Sequence, residues 1–344
     1  MMISLIHMDT LAVEATVRKM PNGDLLAACT CGGDREPAPE NRVCLFRSRD
    51  GGRTWSPKEF LCPEDGRAQY QSCLCVLEGK VLLFVSRHNG QFVGWENSVF
   101  ISEDSGFTWR EQALELLPDY AFVRSMVRLS DGRYLFPYHR YPVTEEAAQA
   151  CRRAGSIVCS APIEYVENGI LIGNAAQGFV KKIAFLQPRA QLPKVGGNLW
   201  NWSENTVAEF EAGHLVMLYR VEGSGRLWKT QSFDFGESWE KPQITPIPNP
   251  GNKAQLLRGA KGEVILLNTP NDKPGFYLRR RFPLEAWISY DGMQSWQKRI
   301  RISDFPGAYS YPDGFLDEDG HLKFAFEFNR HDVYFVDENL QERI

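Results

Sequence analysis

Three strand-like runs of this sequence end in polar residues with catalytic potential. Arg87-His88-Asn89 follows the apolar run Val81–Val85, Tyr138-His139-Arg140 ends a second run, and Leu218-Tyr219-Arg220 ends a third. Each run starts just after a glycine turn, so the three places are structurally parallel. An imidazole there could carry protons near neutral pH or donate hydrogen bonds, which singles out His88 and His139. Those two with a carboxylate would form a minimal metal set, although the usual zinc spacing is absent. Carboxylates gather elsewhere: Asp34, Glu36 and Glu40 share one loop, and Glu204 opens a strand 16 residues before Arg220. Arg281 closes a run of three arginines. Tyr309 and Tyr311 stand two apart, so a regular strand turns both phenols to one face.

The elements that must hold these groups come from a repeat. Six times the chain passes a turn ending in Gly and enters an apolar run, at Gly23, Gly79, Gly132, Gly213, Gly262 and Gly320. The spacings are 56, 53, 81, 49 and 58 residues. An apolar stretch also precedes each Gly, which is the pattern of a β-hairpin whose turn needs positive φ. A second pattern, Ser-x-Asp-x-Gly-x-Thr/Ser-Trp, runs between the hairpins. It stands at Ser48–Trp55, Ser102–Trp109 and Ser232–Trp239, and at Ser289–Trp296 with its Gly moved one place. Its Asp caps backbone N–H groups, its Gly relieves the turn and its Trp plugs the hairpin into the core.

This period, with about four strands per unit, predicts an all-β, six-bladed β-propeller. Residues 1–344 read as a single domain whose third blade is enlarged by an insertion around 144–192, with a short helix near Glu145–Ala150. The N-terminal strand Ile3–His7 is expected to pair with the last blade, so that no sheet edge stays open.

Composition sets the outer bounds. The chain has 344 residues and is 43% hydrophobic, enough for a packed core, so wholesale disorder is excluded. With 39 Lys+Arg against 43 Asp+Glu, no basic stripe and no phosphate loop, nucleic acid and nucleotides are not expected partners. No apolar run nears the ~20 residues of a membrane helix, and the N-terminus lacks an export signal, so no membrane partner and a cytoplasmic location are expected. The eight cysteines include the C-x-C pairs Cys29/Cys31 and Cys73/Cys75. They read as small buried side chains in a reducing compartment, not as a metal or redox site. No cofactor is expected, and the sequence sets no oligomeric state.

The repeated turns resemble the Asp-box, or bacterial neuraminidase repeat, and the resemblance to the sialidase superfamily covers essentially the whole chain. Tyr309-Ser310-Tyr311-Pro312 is similar to the sialidase Tyr-Ser segment. The resemblance implies a central pocket with a Tyr nucleophile paired with a Glu, an Asp acid/base, and three arginines for the substrate carboxylate. Sialidases are the tyrosine exception among glycosidases. A phenol with a pKa of about 10 is a poor nucleophile until a carboxylate takes its proton. Carried over, Glu204 matches the Glu, Arg220 and Arg281 match two arginines, and Tyr309 matches the nucleophile, with Tyr311 its competitor. The acid falls on the loop Asp34–Asn41, with Asp34 ranked before Glu36 and Glu40. Arg87, His88 and His139 join as sugar-binding candidates through their places parallel to Arg220.

The match breaks in the first blade. Sialidases carry Arg-Ile-Pro ten residues before the hairpin Gly, and here that place reads Val13-Glu14-Ala15. The first carboxylate-binding Arg is absent, and Glu14 would repel a substrate carboxylate. Arg18 sits mid-strand near the turn. The expected function is a sialidase-like glycoside hydrolase that removes a terminal, acidic sugar by a retaining Tyr/Glu mechanism, with carbohydrate as its partner. The alternatives are a non-catalytic carbohydrate-binding propeller, or a glycosidase for a non-sialic sugar that uses His88 or His139.

Overall fold

The computed structural model describes residues 1–141, 143–155, 165–174, 178–188, 203–221, 223–271 and 281–341. Its strands form six antiparallel sheets, the blades of a β-propeller. The first contains Ala12–Lys19, Leu25–Cys31, Arg42–Ser48 and Glu59–Phe60. The fourth contains Asn205–Glu211, His214–Arg220, Arg226–Ser232 and Gln243–Pro248. Middle strands such as Leu25–Cys31 are buried along their whole length, which is why they read as unbroken apolar runs. Outermost strands such as Arg110–Ala113 are exposed and polar. The N-terminal strand Met2–Met8 pairs antiparallel with Asp332–Asn339, so both ends of the chain share the last sheet.

The turns form as their chemistry dictates. All six hairpin glycines have positive φ, between 78° and 91°. In the first Asp-box, Gly52 N–H donates to Ser48 Oγ (2.8 Å), while Asp50 accepts from Thr54 N–H (3.0 Å) and Thr54 Oγ1 (2.6 Å). The boxes at Asp104, Asp234 and Asp291 repeat this network. In the last box Met293 takes the Gly place at φ 67°, which accounts for the displaced Gly292. Gly52 is required twice over: its φ is 91°, and a Cβ would lie 2.1 Å from the Phe335 ring.

Contacts divide the chain into two compact units. The first comprises Met1–Phe122, Val143–Ala161 and Asp313–Ile344. Its core includes Ile6, Val17, Phe46 and Phe335, with a second cluster around Leu26, Leu74 and Leu83. The second comprises Val123–Pro142 and Pro162–Pro312. Its core packs Leu135, Ile170 and Met217 in one cluster and Leu218, Leu266 and Trp287 in another. Burying each such side chain is worth about 1.5–3 kcal/mol, which outweighs the few tenths available from strand propensity.

The segment 144–192 differs from expectation. Helix α1 is present as Glu145–Arg153, capped by Thr144, whose Oγ1 accepts Ala147 N–H at 3.3 Å. Tyr165–Asn174 and Gly178–Pro188, however, are the outer hairpin of the third blade itself and not an insertion. Burial of Ile170, Leu171 and Ile172 on the Tyr134–Arg140 strand holds that hairpin in the sheet. Residues 156–164, 175–177 and 189–192 of the segment lie outside the described residues, as do Cys159, Trp202, Arg279 and Arg280. The other seven cysteines are thiols, six of them buried. Among the described residues no helix is long and apolar enough to cross a membrane.

Candidate active site

The second unit brings a carboxylate, a guanidinium and a phenol together. Asn205 pairs with Tyr219 in the fourth-blade hairpin, and Arg220 N–H donates to Glu204 O at 3.1 Å. That register, fixed by the 16-residue spacing, sets Glu204 and Arg220 opposite one another. Arg220 Nη1 donates to both carboxylate oxygens of Glu204 at 3.0 Å. Tyr311 Oη donates to Glu204 Oε1 at 2.7 Å and accepts from Arg220 Nη1 at 2.9 Å. All three residues are buried. Burial by itself would raise the Glu204 pKa. The nearby Arg220 and Arg124 guanidiniums and the Tyr311 hydroxyl outweigh it and hold the carboxyl at about 2. Glu204 is therefore ionised and accepts the phenolic hydrogen of Tyr311.

This pairing corrects the sequence reading, which placed Tyr309 in that role. Tyr309 Oη donates instead to Phe305 O at 2.9 Å, and its ring packs near Phe282 and Phe305. The physical reason is local. Tyr311 has φ 52°, a left-handed conformation that costs a bulky residue about 1–3 kcal/mol, so the alternation that would put both phenols on one face breaks here. The strand is pinned around this point: Tyr309 N–H donates to Arg281 O at 2.9 Å, and Asn252 Nδ2 donates to Tyr309 O at 3.0 Å.

Cations surround the carboxylate's neighbourhood. Arg281 is buried, donates to Ser310 Oγ (2.9 Å) and Gly251 O (3.1 Å), and lies 5.5 Å from the Tyr311 ring centre. Arg124, which the sequence reading missed, is 1% exposed, and its Nε donates to His139 Nδ1 at 3.0 Å. Burial first, and then Arg124, push the His139 pKa well below its usual value. His139 is thus a neutral imidazole with its proton on Nε2. Lys253 is buried as well. Among the described residues of this unit, the buried charged groups are four cations, Arg124, Arg220, Lys253 and Arg281, and one carboxylate, Glu204. A signal for the missed residues did exist: Glu204, Lys253 and Tyr311 each stand nine residues before their hairpin Gly, and Arg124 stands eight before Gly132.

The remaining candidates lie in the first unit. Asp34 is exposed on its loop, and Glu36 is ion-paired with Arg330. Glu14 is half-buried at φ 58°, in a break of strand register, with its N–H on Glu327 Oε2 at 3.0 Å. Arg18 cannot supply the missing arginine, because it is held by Asp313 at 2.7 Å. Arg87 is committed to Glu111 of its own blade, at 2.5 Å.

His88 is fully buried between Tyr70 and Trp95, with ring centres at 5.5 and 5.6 Å. Burial, followed by Arg67, lowers its pKa to about 3. It is therefore a packing residue, against the acid/base reading. The metal reading of His88 with His139 also fails, since the metal-type side chains that cluster among the described residues are His7, Asp9 and Cys31. A His kept neutral on folding stabilises the protein fully above the unfolded pKa of 6.5, and that contribution is lost as pH falls toward about 3. Urea unfolding of His88→Phe at pH 7 and pH 5 should therefore show about 2 kcal/mol less loss than the parent. An equal loss in both proteins would refute the neutral assignment.

The chain belongs to the BNR repeat-like domain family, whose model matches residues 23–324. With its six blades and Asp-box turns it is a sialidase-like BNR propeller. Among solved structures it is similar to the Hadza microbial sialidase Hz136, with a TM-score of 0.71, 14% identity, and coverage of 97% of this chain and 66% of that one. It is similar to the NanB sialidase of Streptococcus pneumoniae, with a TM-score of 0.72, 13% identity, and coverage of 99% and 71%. A protein of unknown function from Dyadobacter fermentans matches end to end, with a TM-score of 0.68, 18% identity, and 98% coverage of both chains. The chain thus spans about two thirds of the length of the two sialidases. No curated protein sequence matches it.

Proposed function

We propose that the protein is a retaining, sialidase-like glycoside hydrolase acting on a terminal acidic sugar, with Tyr311 as nucleophile. The observation that carries this reading is the 2.7 Å hydrogen bond from Tyr311 Oη to an ionised, buried Glu204. In the first step Tyr311 Oη attacks the anomeric carbon and its proton passes to Glu204. The glycosidic bond breaks and the leaving oxygen takes a proton from a carboxylic acid of the protein. Water then attacks the anomeric carbon of the glycosyl-tyrosine and gives a proton to the carboxylate left by that acid, while the bond to Tyr311 Oη breaks and Glu204 returns its proton to the phenolic oxygen. Arg220 donates to the phenolic oxygen and stabilises the negative charge that develops there. The excess of buried cations supports an acidic substrate, to which Arg281 and Arg220 would bind. A cytoplasmic, reducing setting is part of the same proposal.

The test is a panel of aryl glycosides of sialic, uronic and neutral sugars, assayed with the parent protein and Glu204→Gln. The expected result is turnover of at least one acidic glycoside, reduced about 10²–10⁴-fold in the variant. Turnover of neutral glycosides alone, or a rate indifferent to Glu204→Gln, would overturn the reading.

A further inference from the structure

We propose that His7, Asp9 and Cys31 form a binding site for a divalent transition-metal ion, zinc foremost, in the first unit and independent of the glycosidase reading. The three residues come from separate places: the N-terminal strand, the turn after it, and the end of Leu25–Cys31. Their ligand atoms lie within 4.8 Å of one another, and His7 Nε2 is 3.1 Å from Asp9 Oδ2. Zinc bond lengths to N, O and S imply ligand-to-ligand edges of about 3.5 Å, so a contraction of at most roughly 1.3 Å closes the widest gap. Imidazole, carboxylate and thiolate are the donor set that borderline metals select over magnesium or calcium.

The surroundings fit a built site. Thr10 N–H donates to Asp9 Oδ1 at 2.8 Å, which turns Oδ2 toward His7. The His7 ring is fixed against Phe46, with ring centres 4.7 Å apart. Cys29 Sγ lies 3.3 Å from Cys31 Sγ and Cys44 sits opposite Cys29 in the sheet, both outside the three-ligand cluster, so water would take the fourth position. The thiols are buried while His7 and Asp9 are partly exposed, which provides an entry from solvent. Lys58 Nζ now holds Asp9 Oδ2 at 2.8 Å. A dication would displace that ammonium, and the Cys31 thiol would release one proton to solvent as its thiolate joins the metal. Neither His7 nor Asp9 stands at a recognisable spacing from the C-x-C pair, which is why the sequence shows no metal motif.

The experiment is cobalt titration of the zinc-free full chain, followed by thiolate-to-cobalt charge-transfer absorption, with metal analysis after zinc loading and desalting. The expected result is one ion per chain and an absorption band that is absent in Cys31→Ser. Affinity should fall at least about tenfold in His7→Gln and Asp9→Asn, two substitutions at partly exposed positions that leave the core intact. No band and no retained zinc in the parent would overturn the proposal, as would binding unchanged in His7→Gln and Asp9→Asn.

Discussion

Tyr311→Phe is expected to lower kcat/KM on the best aryl glycoside by a factor on the order of 10³ or more, whereas Tyr309→Phe leaves it unchanged. The contrast follows from where two neighbouring phenols go. Tyr311 Oη is hydrogen-bonded to both Glu204 and Arg220, so its loss removes the proposed nucleophile from a base and a cation already aligned on it. Tyr309 Oη donates to the backbone carbonyl of Phe305, and its removal should cost about 1 kcal/mol of stability and no rate. Steady-state kinetics and urea unfolding on the same two preparations separate these effects. A large rate loss in Tyr309→Phe with Tyr311→Phe active would return the role to Tyr309.

Arg220→Met carries the other large effect, on stability as well as rate. Removing one partner of a buried ion pair leaves the other charge uncompensated, at a cost of about 3–5 kcal/mol near pH 7. The pH dependence gives this account a sign. The folded-state pKa of Glu204, about 2, lies below its ordinary 4.5. Its contribution to stability is therefore fully present above pH 4.5 and lost as pH falls through about 2, roughly 3 kcal/mol in all. Without Arg220, burial prevails and the carboxyl is protonated at much higher pH. The stability gap between parent and variant should then narrow from pH 7 to pH 4. Adding Glu204→Gln to Arg220→Met should recover part of the loss, because the carboxylate that Arg220 paired with is then gone. A gap that does not change with pH would mean that the pair contributes packing and not charge.

Most of the architecture was legible because each hairpin and each Asp-box is a local device. Six glycines announce six turns, and the turns tolerate single departures, as Met293 shows. The outer hairpin of the third blade was missed because the long spacing between Gly132 and Gly213 obscures its Gly178 turn. At the site, Glu204 and Arg220 were legible because one hairpin register sets them opposite each other. Tyr311 was misranked because a left-handed residue inside a strand leaves no mark in the sequence alternation. Arg124 was missed because its inner strand is reduced to Ala121–Val123, one residue out of step with the other blades. His88 looked parallel to Arg220 by position, yet an aromatic stack from the second blade, assembled only on folding, claims it.

The central claim is that Tyr311 becomes covalently glycosylated. The direct measurement is peptide mass spectrometry after incubating the protein with a fluorinated analogue of whichever aryl glycoside it turns over, since fluorine slows the second step and traps the adduct. The account predicts one sugar per chain, carried by the peptide that contains Tyr311 and localised to that residue. An adduct on Tyr309 or on a carboxylate, or turnover with no adduct and an inverted product, would contradict it.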